Sequence, residues 1–315
     1  MKTGAFIIPT GIGASIGGFA GDASKWARKF AQKSKLIVNP NVVNAACFSG
    51  ITENMLYVEG YTLDEFFKGN CYLKETKENT IGVIFDQSIP KEVLNIHINT
   101  INAVKTVYDI NIKEFDITEE PVGVEFFVDK SGISTGNIKN LKTLHNTAHK
   151  LINNGCNALA IVCHFPEEQG EEYEKGLGVD PVGGVEAIIS HYISKEFQIP
   201  CAHAPAFSDY TITNKLVNPK CAAEFITPTF LPCILLGLNN APQISKFEGI
   251  SIQDTDFLVI PYNALGGIPV LEMIKRNKKV YAIKENNTIL DVTNSNFTSK
   301  CVIINTYEEL LELIW

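Results

Sequence analysis

Residues 141–164 read LKTLHNTAHKLINNGCNALAIVCH, and this stretch decides the fold class. Leu141, Leu144, Ala148 and Leu151 recur at three- and four-residue spacing, which predicts a helix over Leu141–Asn153 with one buried stripe. Asn153, Asn154 and Gly155 close it, and Ala158–His164 follows as an unbroken apolar run. Parallel strands covered on both faces need runs of that kind. Upstream the same rhythm appears as a strand over Ile81–Asp86, a helix over Lys91–Asp109 and a strand over Val122–Val128. Strand, helix and strand in alternation predict βαβ units.

The pattern extends in both directions. Ala5–Pro9, Leu36–Asn39 and Met55–Glu59 read as strands, with a helix over Asp22–Gln32 that Asp22 could cap. Pro181–Glu196 reads as a helix and Ile199–Ala206 as a strand entering a Pro-bounded loop. Strands over Phe257–Pro261, Val280–Lys284 and Cys301–Ile304 and helices over Pro269–Asn277 and Tyr307–Leu313 complete the chain. The expected fold is α/β, two lobes with mostly parallel sheets flanked by helices and a ligand cleft between them. Residues 1–76 with 237–315 would form a discontinuous lobe with Gly-rich loops, and 77–236 the second lobe. Phe165–Lys175 is strongly acidic and reads as an exposed connection or a lid.

Composition narrows the function classes. Of 315 residues, 45% are hydrophobic and 20% charged, so disordered and fibrous classes are excluded. The net charge of −8 and the lack of a basic stripe argue against a nucleic-acid partner. No apolar run approaches the ~18 residues that span a bilayer, so no membrane partner is expected. Eight cysteines without a C-x-x-C fit a reducing compartment, and the interrupted N-terminal run is not a signal peptide. A cytoplasmic location is expected.

IIPTGIGASIGGFAGDA (7–23) places five glycines between a strand and a helix. Glycine admits positive φ, so Thr10, Gly11, Gly13, Gly17 and Gly18 could turn successive N–H groups onto a phosphate or carboxylate. The loop has neither the Lys of a Walker A nor dinucleotide spacing. Ser15 fits G-x-S-x-G only in letters, because it lies far from both strand and helix. That stretch resembles, together with NPNVVNAA (39–46), NMLYVEGYTLDEF (54–66), GVDPVGGVEAIISHYISKEFQIPCAHAPAF (178–207) and TFLPCILLGLNNAPQ (229–243), the domain-of-unknown-function 3326 family. The resemblance covers nearly the whole chain, implies a cytosolic or plastid protein and transfers no catalytic residue.

Chemistry must therefore come from the side chains. His203 sits near the C-terminal end of a parallel strand, where open α/β sheets bind ligands, and imidazole titrates near neutrality. Cys201 shares its strand face, so the two could form a nucleophilic couple. Glu186, on the helix that Asp180 and Pro181 open, and Glu59, after the third strand, are candidate assisting carboxylates. Asn44 could orient a ligand by paired amide bonds, whereas Asn39 and Asn41 read as turn formers. Asn263, Gly266 and Gly267 resemble locally the donor-nucleotide turn of two-lobed glycosyltransferases and suggest a second anion site. His145 and His149 read as surface histidines, and no ligand spacing supports a metal.

The leading expectation is an enzyme acting on a small anionic metabolite by acid/base chemistry, with His203, Glu186, Cys201 and Glu59 as catalytic candidates. The sequence names no cofactor. One alternative is a non-catalytic sensor or carrier using the same cleft. Another is a cysteine-based racemase or isomerase, since ALAIVCHFP (158–166) resembles a cysteine motif of the aspartate/glutamate racemase superfamily.

Overall fold

The computed structural model describes residues 1–165, 174–176, 179–293 and 300–314. The strands that matter here run in chain order as β1 (Lys2–Phe6), β2 (Ser34–Val38), β3 (Met55–Tyr57), β4 (Ile81–Phe85), β5 (Ile112–Ile117), β6 (Val124–Val128), β7 (Ser134–Ile138), β8 (Ala158–His164), β9 (Cys201–Ala206), β10 (Phe257–Pro261), β11 (Lys279–Ile283) and β12 (Val302–Ile304). The helices that matter here are α1 (Ser24–Ala31), α2 (Gly60–Lys68), α3 (Lys91–Tyr108), α4 (Leu141–Asn153), α5 (Gly183–Phe197), α6 (Leu231–Asn239), α7 (Ile268–Lys275) and α8 (Tyr307–Ile314).

Two parallel sheets result. The first has six strands in the order β12-β11-β10-β1-β2-β3, the second four in the order β9-β8-β4-β5. Every neighbouring pair in both is parallel. In each sheet the strand order reverses once, between β1 and β10 and between β4 and β8, which makes both doubly wound. The expected α/β class with mostly parallel sheets is thus present. The chain leaves the first sheet after β3, builds the second, and returns at β10.

A continuous apolar core joins the sheets. Phe6, Val38 and Tyr57 of the first belong to the same buried cluster as Val83 and Val162 of the second, bridged by Leu231, Leu235 and Leu238 of α6. Gly237 lets α6 lie against the Tyr57 ring, since a Cβ there would fall 2.7 Å from its Cε2. Two features depart from the sequence reading. Val124–Val128 is no member of the parallel sheet but pairs antiparallel with β7, and the parallel strand after α3 is β5. Helix α1 begins at Ser24 after Ala23, without a side-chain cap, while Asp22 turns back to accept from the Gly17 N–H at 2.6 Å. Within the expected lid Phe165–Lys175, residues 166–173 lie outside the described residues.

Candidate functional site

A cavity of about 120 Å³ opens where strand-end loops of both sheets converge. The loop after β1 contributes Thr10, Gly17, Gly18 and Phe19, and the turn after β2 contributes Asn41 and Asn44. From the other side come Asp180 and Glu186 at the start of α5, His203 and Pro205 of β9, then Phe207, Glu224, Phe230 and Cys233. Pro205 is tolerated because β9 is an edge strand.

The loops are held by amide clamps. Asn39, buried, accepts from the Ile8 N–H at 3.0 Å and donates to the Ile8 carbonyl at 2.7 Å. Asn41 donates to Thr10 Oγ1 at 3.1 Å and to the same carbonyl at 3.2 Å. In the glycine loop, Gly11, Gly13, Gly17 and Gly21 all take positive φ, which explains their composition. Several of its donors are used internally. The Ser15 N–H reaches Asn287 O at 2.7 Å, the Ile16 N–H Asn286 Oδ1 at 3.1 Å and the Ala20 N–H Glu224 Oε1 at 2.7 Å. With Gly17 bound to Asp22, four consecutive or near-consecutive donors face the protein's own acceptors. Asp22 itself is pushed up to about 6 by burial.

Among the glycines expected to hold a ligand, Gly17 and Gly18 line the cavity with Thr10, whereas Gly11 and Gly13 do not. Gly11 instead abuts the hairpin, its carbonyl accepting from Ser134 N–H at 3.1 Å. Asn263, Gly266 and Gly267 also stay outside the lining. Asn263 is used as a staple, donating to Thr288 O at 2.9 Å and accepting from Thr288 N–H at 2.8 Å.

His203 and Glu186 do meet in the cavity. The Ser190 hydroxyl donates to Ala187 O at 3.2 Å, and its oxygen lies 2.8 Å from His203 Nδ1. Ser190 thus holds the ring by its Nδ1 edge. Burial, with His191 nearby, pushes His203 down to about 3, so the ring is neutral. Glu186 is 6% exposed, and its Oε1 has no hydrogen-bond partner among the described residues. Burial first, then the charges of Asp180 and Glu224, raise its carboxyl well above the carboxylate range. Burial thus favours the protonated form of Glu186. Asn44 Oδ1 is a second buried atom without a partner, and the Tyr57 hydroxyl approaches that amide without closing a hydrogen bond of normal geometry.

The other catalytic candidates stand apart. Cys201 opens β9 and, with Glu59 and Thr62, lines a separate small void. Its thiol is buried and raised well above its ordinary value, as is that of Cys163, so neither is a thiolate near neutrality. Glu59 caps α2, accepting from the N–H groups of Tyr61 at 2.8 Å and Thr62 at 2.6 Å. His164 Nε2 lies 2.9 Å from Ser208 Oγ. His145, half-buried, faces Glu196 at 3.6 Å, and exposed His149 lies 3.1 Å from Asn153. The residues that sequence reasoning misses are Glu224, from a segment with no motif, and Phe207, Phe230 and Cys233, from stretches that carry the family resemblance but drew no site reading. Asp180 is legible only as a helix opener.

A family model described as "Protein of unknown function (DUF3326)" matches residues 3–315. The chain belongs to that family. It is also similar to an uncharacterized lipoprotein of Synechococcus sp., 38% identical over 300 residues that cover 92% of this chain and 83% of the relative. No solved structure matches the chain. Among the described residues, no helix is long and apolar enough to cross a membrane.

Proposed function

We propose that this cavity is the active site of an enzyme that moves a proton on a small bound metabolite. His203 Nε2 is the proton acceptor, and the Glu186 carboxyl is the group against which the reacting polar part of the metabolite docks. The observation that carries this reading is Glu186 Oε1, buried without a partner in the cavity that His203 also lines. Leaving a buried polar atom unpaired costs roughly 1–3 kcal/mol, and a docked ligand removes that cost. A protonated carboxyl can donate and a neutral ring nitrogen can accept, but burial leaves His203 a weak base in the empty cavity, so this reading requires the docked ligand to raise its proton affinity. The loop donors already bound to Asp22, Asn286, Asn287 and Glu224 weigh against an anion cradled by the glycine loop.

The test is consumption of a defined metabolite mixture, followed by proton NMR, with ligand retention followed by native mass spectrometry. His203→Gln should retain the ligand and lose turnover by roughly 10²-fold or more. A wild-type protein that retains a ligand without ever converting it would make the cavity that of a sensor or carrier. Undiminished turnover by His203→Gln would remove the histidine from the mechanism.

A further inference from the structure

A second depression, lined by Glu174, Asp209 and Phe225, shares Phe207, Glu224 and Phe230 with the cavity. Across the two depressions the acidic side chains among the described lining residues are Glu174, Asp180, Glu186, Asp209 and Glu224. No Lys or Arg is among the described lining residues. Phenyl rings flank the carboxyls: Phe19 at one wall, and Phe207 edge-on to Phe230 with centroids 6.5 Å apart where the two depressions meet. Carboxylates and aromatic faces attract positive charge by Coulomb and cation–π terms together.

We propose that the ligand is an elongated organic cation, a primary amine or diamine, whose ammonium group docks on Glu186 Oε1 and whose chain runs over Phe207 and Phe230 toward Asp209. This rests on the reading of the cavity as the substrate site but not on the proton-transfer role of His203. Three observations converge on it: the buried unpartnered Glu186 oxygen, the one-signed charge of the lining, and the rings at the junction. The proton balance follows. In the empty protein Glu186 holds its proton; when the ammonium docks, the O–H bond breaks, the proton leaves to solvent and a carboxylate–ammonium pair remains.

The groups facing Glu186 set the pH range. Asp180 precedes its helix and Glu224 stands opposite, and both oppose its ionisation. Tyr57 of β3, Cys163 of β8 and Cys233 of α6 are raised by burial and stay neutral, and His203 of β9 is lowered and stays neutral as well. Asp180 is itself raised by burial while accepting from Val182 and Gly183. Amine affinity should therefore increase as pH rises, by up to about tenfold per unit while Glu186 remains protonated in the empty protein.

Isothermal titration of the full chain with n-butylamine, 1,4-diaminobutane, spermidine, n-butanol, butyrate and inorganic phosphate tests this. The diamine and spermidine should bind at least roughly tenfold tighter than butylamine, and butanol, butyrate and phosphate should give no saturable heat. Repeating the titration in buffers of different ionisation enthalpy should reveal a released proton. Glu186→Gln, near-isosteric with the protonated carboxyl, should weaken amine binding by about tenfold or more and abolish the proton release. Phe207→Leu, a second variant away from the carboxyls, should weaken it several-fold. Preferential binding of butyrate or phosphate, amine binding unmoved by Glu186→Gln, or no amine binding at millimolar concentration would each overturn the proposal. A neutral substrate converted by the wild type and lost in His203→Gln would overturn it while leaving the proton-transfer reading in place.

Discussion

Two buried glutamates sit at the starts of neighbouring helices and have opposite surroundings. Glu59, 3% exposed, gives its oxygens to the Tyr61 and Thr62 N–H groups and to the Thr62 hydroxyl, so its burial is explained by the helix that it caps. Glu186, 6% exposed, leaves Oε1 unpaired at a cavity wall, so nothing in the helix accounts for it. A buried carboxyl whose hydrogen bonds all close within the chain is architecture. One whose bonds stay open toward a cavity points to a ligand.

The sharpest way to break that contrast is by pH. Glu59 is pushed from 4.5 up to about 7 by burial, against the pull of its hydrogen bonds. Between those values the folded chain holds a proton that the unfolded chain has lost, so stability falls as pH rises, by about 3 kcal/mol in total, and levels off above pH ~7. Urea unfolding of wild type and Glu59→Gln across this range should show that slope in the wild type and a flatter one in the variant. Parallel curves would mean that Glu59 stays ionised when folded.

A smaller effect comes from deleting the cap. At pH 5, where Glu59 is largely uncharged in the fold, Glu59→Ala should lose about 2 kcal/mol of stability, with the α2 amides exchanging faster with solvent. Smallest of all should be Glu186→Gln, which replaces one neutral polar group by another of the same size. Its unfolding midpoint at pH 7 should lie within about 0.5 kcal/mol of wild type while ligand retention is lost. A loss of stability as large as that of Glu59→Ala would make Glu186 a structural residue too and erase the distinction.

How far the sequence is readable follows from what each element buries. Central strands such as β8 and β10 lie covered on both faces and show as apolar runs, so Ala158–His164 and Phe257–Pro261 are legible to the residue. The edge strand β5, IKEFDI, alternates buried or half-buried with exposed positions and carries charges, so it gives no apolar run and the hairpin strand after it draws the eye instead. The site is partly legible for a similar reason. Glu186, His203, Asn44, Thr10, Gly17 and Gly18 carry chemistry or special backbone freedom and do line the cavity. Phe207, Phe230 and Glu224 acquire meaning only through the tertiary arrangement. Glu59 and Cys201 mislead because one sequence pattern, a polar residue at a strand end, serves both a helix cap and a ligand site.

The protonation state of Glu186 tests most directly whether its carboxyl is buried and unpaired at the cavity wall. Carbon-13 NMR of the glutamate side-chain carboxyls, with Glu186→Gln to assign the resonance, reads it without knowledge of the substrate. Two carboxyls, those of Glu59 and Glu186, should still be protonated at pH 6, and one of the two should be absent from the variant; both titrate well above Glu65, whose Lys68 and Asn70 partners lower it. A Glu186 resonance that has fully ionised by pH ~5, like an ordinary glutamate, would contradict this.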